Sequence, residues 1–399
     1  MIHFLKKKHH FSKISKLSFI VLLITLSLSL IDTIWAIYLY QFVPNDSFVG
    51  LTSALFTIIS LMGFVFLIPF IERFDKVKLF ELTLFLTSIC YIIFAISSNF
   101  WIILLLGLIL ALIAVIRIDC FGIIVNDASK REELAKNEGI IYTIANFGWL
   151  VGPLIAAPLS EKFNISLIFI LSAFFILFAF VSYKFLHIGV RKRISKKTDG
   201  NFWKNLQTFF KDKDLLKNYI ISGNGSIWWS FTFIYIPLYM FEKGFSISHI
   251  GYFLFIIILP LILFEYWFTN LADKIKYQKI FILGNILPAI VLVLCFFISN
   301  VYLQLILVAL GSIGIAMTES SSEAYFFLVA PKKHLEKYYS VYNTALDVFA
   351  FIGKVFIAII LLIFAFKFAF LFLALIFLIF ALVASRIKEI SGAKLKNKH

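Results

Sequence analysis

The chain repeats itself at an offset of 201 residues, and the repeating unit is a set of six long apolar segments. Adding 201 to Tyr38-Leu39-Tyr40-Gln41 lands on Tyr239-Met240-Phe241-Glu242, and Ser98-Asn99-Phe100-Trp101 lands on Ser299-Asn300-Val301-Tyr302. In the same register Glu72 falls on Asp273 and Gly152 on Gly353. One uninterrupted register across four places predicts a parallel duplication, in which two sets of six helices enter a membrane from the same side.

Composition makes the membrane unavoidable. With 61% apolar residues, 15% charged residues and 49 Phe in 399 residues, the chain has too much apolar surface to bury in a water-soluble core. Runs of roughly 20 residues, enough to cross a ~30 Å hydrocarbon layer, are read at 17–43, 48–71, 79–96, 100–125, 137–159 and 165–186 in the first half. The second half gives 215–241, 247–271, 280–298, 301–326, 340–366 and 368–387. The fold class is therefore all-α and integral to the membrane, with twelve transmembrane helices in two six-helix pseudo-repeats.

A net charge of +15 invites a nucleic-acid partner, but its placement removes that reading. Of the 37 Lys and Arg, Lys162, Lys243 and Lys367 fall on one side and Arg117 and Lys354 deep within spans; the other 32 lie in the segments on the opposite side or at the span ends that face it. By the positive-inside rule that side is cytoplasmic, and both termini lie there. Lys6-Lys7-Lys8 before an apolar run looks like the start of a signal peptide. However, the run is too long, contains Asp32 and has no small-residue cleavage site. His9-His10 has no further ligand at a metal-binding spacing, and Cys90, Cys120 and Cys295 all fall inside spans with no CxxC pair. Neither a metal nor a cofactor is expected.

These features divide the chain into a first bundle at 1–187, a cytoplasmic linker at 188–214 and a second bundle with a basic tail at 215–399. Within the linker, Phe202, Trp203, Leu206, Phe209 and Phe210 recur at helical spacing among Lys204 and Lys211. That pattern predicts a short amphipathic helix on the cytoplasmic leaflet, tethering two halves that rock.

Charged loops after the second span of each half carry a motif. Leu271-Ala272-Asp273-Lys274, with Glu72-Arg73 and Asp75-Lys76 as its first-half counterpart, resembles the loop motif of the major facilitator superfamily, although Ile68 and Thr269 stand where that motif has Gly. An acid there can face a helix N-terminus while the base meets a partner acid, for which Asp127 at the end of the fourth span is placed. Glu72, Arg73, Lys76, Asp127, Asp273 and Lys274 are thus expected to gate the cytoplasmic side. Gly148-Trp149-Leu150-Val151-Gly152-Pro153 in the fifth span is similar to the G-x-x-x-G-P motif of the superfamily's drug/proton antiporter branch. Small residues four apart admit a close helix neighbour, and Pro weakens the backbone ladder. Gly148, Gly152 and Pro153 are expected at a moving interface between halves. The resemblance covers essentially the whole chain and implies alternating-access transport, with the first, fourth, seventh and tenth helices lining the path.

Seven charges fall inside spans more than a helical turn from either end: Asp32, Arg117, Asp119, Glu265, Glu319, Asp347 and Lys354. Each costs about 2.5–3.5 kcal/mol at a helix centre on the insertion scale, so they must face one another, water or substrate. Counted at ~1.5 Å per residue, Asp32 and Lys354 lie near the midplane and the others nearer the cytoplasm. Asp32, Arg117, Asp119 and Glu319 lie on the helices that the resemblance assigns to the cavity. Arg117 occupies the place of the fourth-helix Arg in proton-coupled members. Glu265, Asp347 and Lys354 form a secondary set. Five acids against two bases favour a protonated carboxylate in a dry cavity, and Asp32, with no base within a turn of its own helix, is the first choice to carry it. Trp228 and Trp229, following a break expected at Gly223-Asn224-Gly225, are candidates for cation–π contact with a substrate, and Asn224 is a candidate polar contact.

The expected function is proton-coupled export of small amphipathic or cationic molecules by a probable monomer of the cell membrane, with substrate, protons and the bilayer as its only partners. A proton symporter importing a nutrient or organic anion, held by Arg117 and Lys354, is the alternative within the fold. A non-transporting scaffold or receptor is the alternative outside it. No nucleophile and base are grouped as an enzyme would need.

Overall fold

The computed structural model describes residues 12–67, 71, 74–130, 133–186, 202–331 and 335–389. Fourteen α-helices account for the described residues: α1 Lys13–Tyr40, α2 Asp46–Phe66, α3 Lys76–Ile96, α4 Phe100–Ala128, α5 Leu134–Lys162, α6 Ile165–Phe185, α7 Phe202–Lys211, α8 Lys213–Ser230, α9 Ile236–Glu242, α10 Ile247–Ile275, α11 Tyr277–Phe297, α12 Val301–Val329, α13 Leu335–Ile363 and α14 Lys367–Ser385. A π-helical segment, Phe231–Tyr235, joins α8 to α9. Eleven helices are long and apolar enough to cross a membrane alone. The twelfth crossing is the composite α8–π–α9.

The duplication is carried into the helix boundaries. The first residues of α2, α3, α4 and α5 at 46, 76, 100 and 134 recur at 247, 277, 301 and 335, again 201 apart. Part of the cause is local. Asn99 caps α4 by accepting from Trp101 N at 2.9 Å, and its repeat mate Asn300 caps α12 by accepting from Leu303 N at 3.1 Å. Such a cap satisfies a backbone donor that the helix leaves unpaired.

The chain resolves into two compact units, one of residues 1–31 with 63–197 and the other of residues 32–62 with 198–399. In the first, α1 packs on α5 and α6, and α3 packs on α4 and α6. Ser27 Oγ donates to Ser172 O at 2.8 Å, and a Cβ on Gly148 would lie 3.1 Å from the backbone nitrogen of Leu26. In the second, α11 and α12 approach backbone to backbone. A Cβ on Gly284 would sit 2.7 Å from Gly314 O, so neither glycine tolerates a side chain. The linker helix α7 forms as its spacing predicts, but Leu206, Phe209 and Phe210 of its apolar face pack against protein. Phe209 is completely buried in a cluster with Leu215, Tyr219, Phe326, Tyr338 and Val341. Burying a Phe against α8, α12 and α13 is worth about 1.5–3 kcal/mol over leaving it exposed to water.

Candidate functional site

The second unit holds five of the seven intramembrane charges: Asp32, Glu265, Glu319, Asp347 and Lys354. Lys354 Nζ donates to Thr57 Oγ1 of α2 at 2.7 Å. Thr57 uses its own proton on Ser53 O at 3.1 Å, which turns a lone pair toward the ammonium. Lys354 also acts electrostatically on Asp32 of α1 and on Asp347, two turns away on α13, yet hydrogen-bonds to neither. A cation flanked by two carboxylates and held by a neutral hydroxyl can strengthen with one acid while releasing the other, because its anchor competes for no charge. Asp32 keeps an exposed side chain in the middle of this arrangement.

Position 354 is fixed through its backbone. Tyr235, the last residue of the π segment, is completely buried and its hydroxyl donates to Lys354 O. On its other side it fills the space left by Gly50 of α2, where a Cβ would lie 1.9 Å from the Tyr235 oxygen. A π segment adds one residue to a helical turn and re-aims the side chains that follow. Here it wedges one ring between α2 and α13. Neither Tyr235, Gly50 nor Thr57 stands out in the sequence, since hydroxyls and glycines are ordinary in apolar helices. Only the spacing of Ser53 and Thr57, four apart on one face of α2, is a visible signal.

The same unit holds a second constellation. Trp229 Nε1 donates to Glu319 Oε2 at 2.9 Å. The carboxylate lies over Gly225, where a Cβ would come within 3.2 Å of Oε2. Glu265 of α10 acts on Glu319, and Glu323 acts on Glu265, while Tyr339 donates its hydroxyl to Glu323. Glu323 was missed from the sequence although it lies one helical turn beyond Glu319.

Several sequence expectations are corrected. Trp228 is not a substrate contact: it is fully buried, donates to Ser312 Oγ at 3.0 Å and packs edge-on against Phe377. Adjacent residues on a helix point about 100° apart, so only Trp229 faces the carboxylates. Asn224 is equally internal, with its amide shared between Asn285 Oδ1 at 2.8 Å and Thr318 Oγ1 at 2.9 Å. Nor do Gly223, Asn224 and Gly225 break the helix. They lie inside continuous α8, and Gly223 makes room for the Phe349 ring. The departure comes at Phe231–Tyr235.

In the first unit the fifth-span motif has a specific geometry. Pro153 has no N–H, so the carbonyl four residues earlier, at Trp149, loses its helical donor. Ser29 Oγ of α1 donates to that carbonyl at 3.0 Å. Gly148 and Gly152 permit the approach, since a Cβ at either would lie 2.2 Å from Thr25 Oγ1 or 2.1 Å from Ser29 Oγ. The expected contact between halves is thus corrected to one inside the first unit, three residues along α1 from Asp32. Arg117 is buried at 7% exposure and acts on Tyr91 of α3. Among the described residues no carboxylate pairs with it. Asp119 is half-buried one side of it along α4.

The cytoplasmic latch differs as well. Lys76 is buried, and its Nζ donates to the carbonyls of Ile71 and Phe74 in place of the expected Asp127. Asp75 caps α3 by accepting from Val77 N at 3.0 Å, which is the helix-terminus role expected of an acid in this loop. Glu72 and Arg73 fall outside the described residues, as does the Asp273 side chain. Lys274 is exposed.

The comparisons agree with this architecture. The family model described as Major Facilitator Superfamily matches residues 17–264 and 246–398. No curated protein matches the sequence. Among solved structures, a POT family transporter in complex with a thioalcohol-conjugated peptide is similar at a TM-score of 0.75 and 14% identity, covering 93% of this chain and 94% of its own. A bacterial homologue of the human lysosomal transporter Spinster, inward-facing and unoccupied, gives 0.75 at 11% identity over 94% and 96% of the two chains. The nucleoside transporter NupG gives 0.75 at 12% identity over 94% and 99%. At these identities the likeness is one of fold. With the family match spanning nearly the whole chain, and with twelve crossings in a parallel duplication, the protein belongs to the major facilitator superfamily and is a membrane transporter.

Proposed function

We propose that this chain is a proton-coupled exchanger that exports small amphipathic cations across the cell membrane, with both termini cytoplasmic. The observation that carries this reading is the placement of Lys354 between Asp32 and Asp347 with Thr57 as its hydrogen-bond partner. A proton arriving on one carboxylate shifts the ammonium toward the other, and a substrate cation competes for the acid left free. Glu319, steadied by Trp229 and backed by Glu265 and Glu323, offers an anionic and aromatic wall on which an organic ammonium ion gains charge attraction and ring contact together. Competition of proton and cation for the same carboxylates yields exchange, and the inward proton gradient then drives the cation out. The similarity of Gly148–Pro153 to the antiporter motif supports the same direction. The test is flux in proteoliposomes under an imposed pH gradient, with cationic, neutral and anionic candidates. A gradient-dependent flux confined to cations supports the reading, and a flux confined to anions refutes it.

One observation favours a second reading, import of an organic anion with protons. Arg117 is a buried guanidinium with no carboxylate partner among the described residues, and such a group favours a carboxylate or phosphate ligand. The anion arm of the same experiment distinguishes the two.

A further inference from the structure

The first unit contains a cavity of roughly 650 Å³ that the transport site does not use. It opens among the start of α1, the end of α4 and the start of α5, the end of the unit that the Lys and Arg distribution assigns to the cytoplasm. Among the described residues, its lining carries Lys13, Lys130 and Lys136 against one acid, Glu133. The first turn of α5 adds to this positive field, and Glu133 at its N-cap makes no side-chain capping bond. Ser18 supplies an independent sign of a missing partner. It is 8% exposed, lines the cavity, and its Oγ has no hydrogen-bond partner. A buried hydroxyl left unpaired costs about 1–3 kcal/mol; the Ser18 oxygen is fully covered in this structure, so a ligand oxygen removes that cost once the cavity wall shifts to admit it.

The polarity of the lining changes with depth. Phe19 and Leu22 on α1 and Ile140 and Ile144 on α5 also face the cavity. From Lys13 to Leu22 a helix rises about 13 Å, and from Lys136 to Ile144 about 12 Å. A charged mouth over an apolar floor at that depth matches the passage from headgroup to acyl chain in one leaflet. We propose that the cavity binds a phosphate-bearing amphiphile, an anionic phospholipid. Its phosphate is held by Lys13, Lys130, Lys136 and the Ser18 hydroxyl, and one acyl chain lies along Phe19, Leu22, Ile140 and Ile144. The occupant ties the start of α1 to the start of α5, so its binding stabilises the unit that presents the transport helices.

The test uses the full-length protein in detergent, titrated with phosphatidylglycerol, phosphatidylcholine or inorganic phosphate and read by native mass spectrometry and thermal unfolding. The proposal expects binding and a raised melting temperature with phosphatidylglycerol alone. Combined Lys13→Gln, Lys130→Gln and Lys136→Gln should weaken it at least tenfold, and Ser18→Val should weaken it several-fold without unfolding the protein. Lys211→Gln with Lys274→Gln, basic positions on the same side but outside the cavity, should leave it unchanged. Equal effects from inorganic phosphate would assign the cavity to a free anion and overturn the lipid. Equal losses from the control pair would reduce the effect to general surface attraction and overturn the site.

Discussion

At the scale of single residues, the account turns on a half-buried ammonium whose hydrogen bond goes to a hydroxyl. Lys354→Gln keeps a donor for Thr57 and removes the charge that Asp32 and Asp347 both experience. It is expected to lower gradient-driven uptake into inverted proteoliposomes about tenfold or more, the equivalent of ~1.4 kcal/mol. Thr57→Val removes only the acceptor and should cost less. Equal losses from both would show that the anchor matters as much as the charge. Glu319→Gln keeps shape and the bond from Trp229 while removing the negative charge. It should raise the KM for a cationic substrate about tenfold, one lost charge-assisted contact of ~1.4 kcal/mol, and leave a neutral substrate unaffected. The charged residues of this site were legible because each is conspicuous in an apolar run. Their partners were not, because Thr57, Gly50 and Tyr235 are unremarkable on such helices and acquire a role only when α2, α13 and the π segment meet. Trp228 and Trp229 show the same limit. Being neighbours, they are equivalent in sequence, and only the helix rotation sends one into the packing against Phe377 and the other to Glu319.

Among the elements, the contact of α1 with α5 is the most exacting. Pro153 frees the Trp149 carbonyl, Ser29 satisfies it, and Gly148 and Gly152 make the approach possible. Gly152→Leu forces a side chain to within 2.1 Å of Ser29 Oγ and must push α1 outward. Overpacking of this kind costs about 1–3 kcal/mol, so the variant should melt at lower temperature and transport slowly, since α1 also carries Asp32. Ser29→Ala should be milder, near the ~0.6 kcal/mol typical of an interhelical hydrogen bond in a membrane. A Gly152→Leu protein with unchanged melting temperature and rate would refute the packing role. The motif itself was legible, because small residues four apart followed by Pro announce a close neighbour. Which helix that neighbour would be was not, since α1 offers Thr25 and Ser29 among many similar hydroxyls. The break in the seventh crossing was misplaced for a related reason. Gly223 and Gly225 accommodate Phe349 and Glu319, so their flexibility is never used, whereas the π segment falls on Phe231–Tyr235, a stretch with no glycine at all.

For the whole molecule, the duplication was the most legible feature, because a 201-residue register holds in both the sequence and the helix starts. The proposed orientation, twelve crossings with both termini inside, requires the loop residue Asn45 and the linker residue Lys204 to lie on opposite sides. Single cysteines at the two positions should therefore react with an impermeant thiol reagent from opposite faces, and labelling from one face alone would refute the topology. What the duplication leaves open is the chemistry, since the two halves share helix starts but not charges: Lys354 stands 201 residues beyond Pro153, and Asp32 has Phe233 as its mate. The asymmetry places Asp32 in one half of the sequence and Lys354 in the other. The most direct test is Asp32→Asn, which preserves shape and removes titration. In proteoliposomes carrying an imposed pH gradient, the variant should lose accumulation of substrate against its gradient while retaining substrate-for-substrate exchange. Uphill accumulation with unchanged pH dependence would contradict the account and move the coupling proton to another carboxylate.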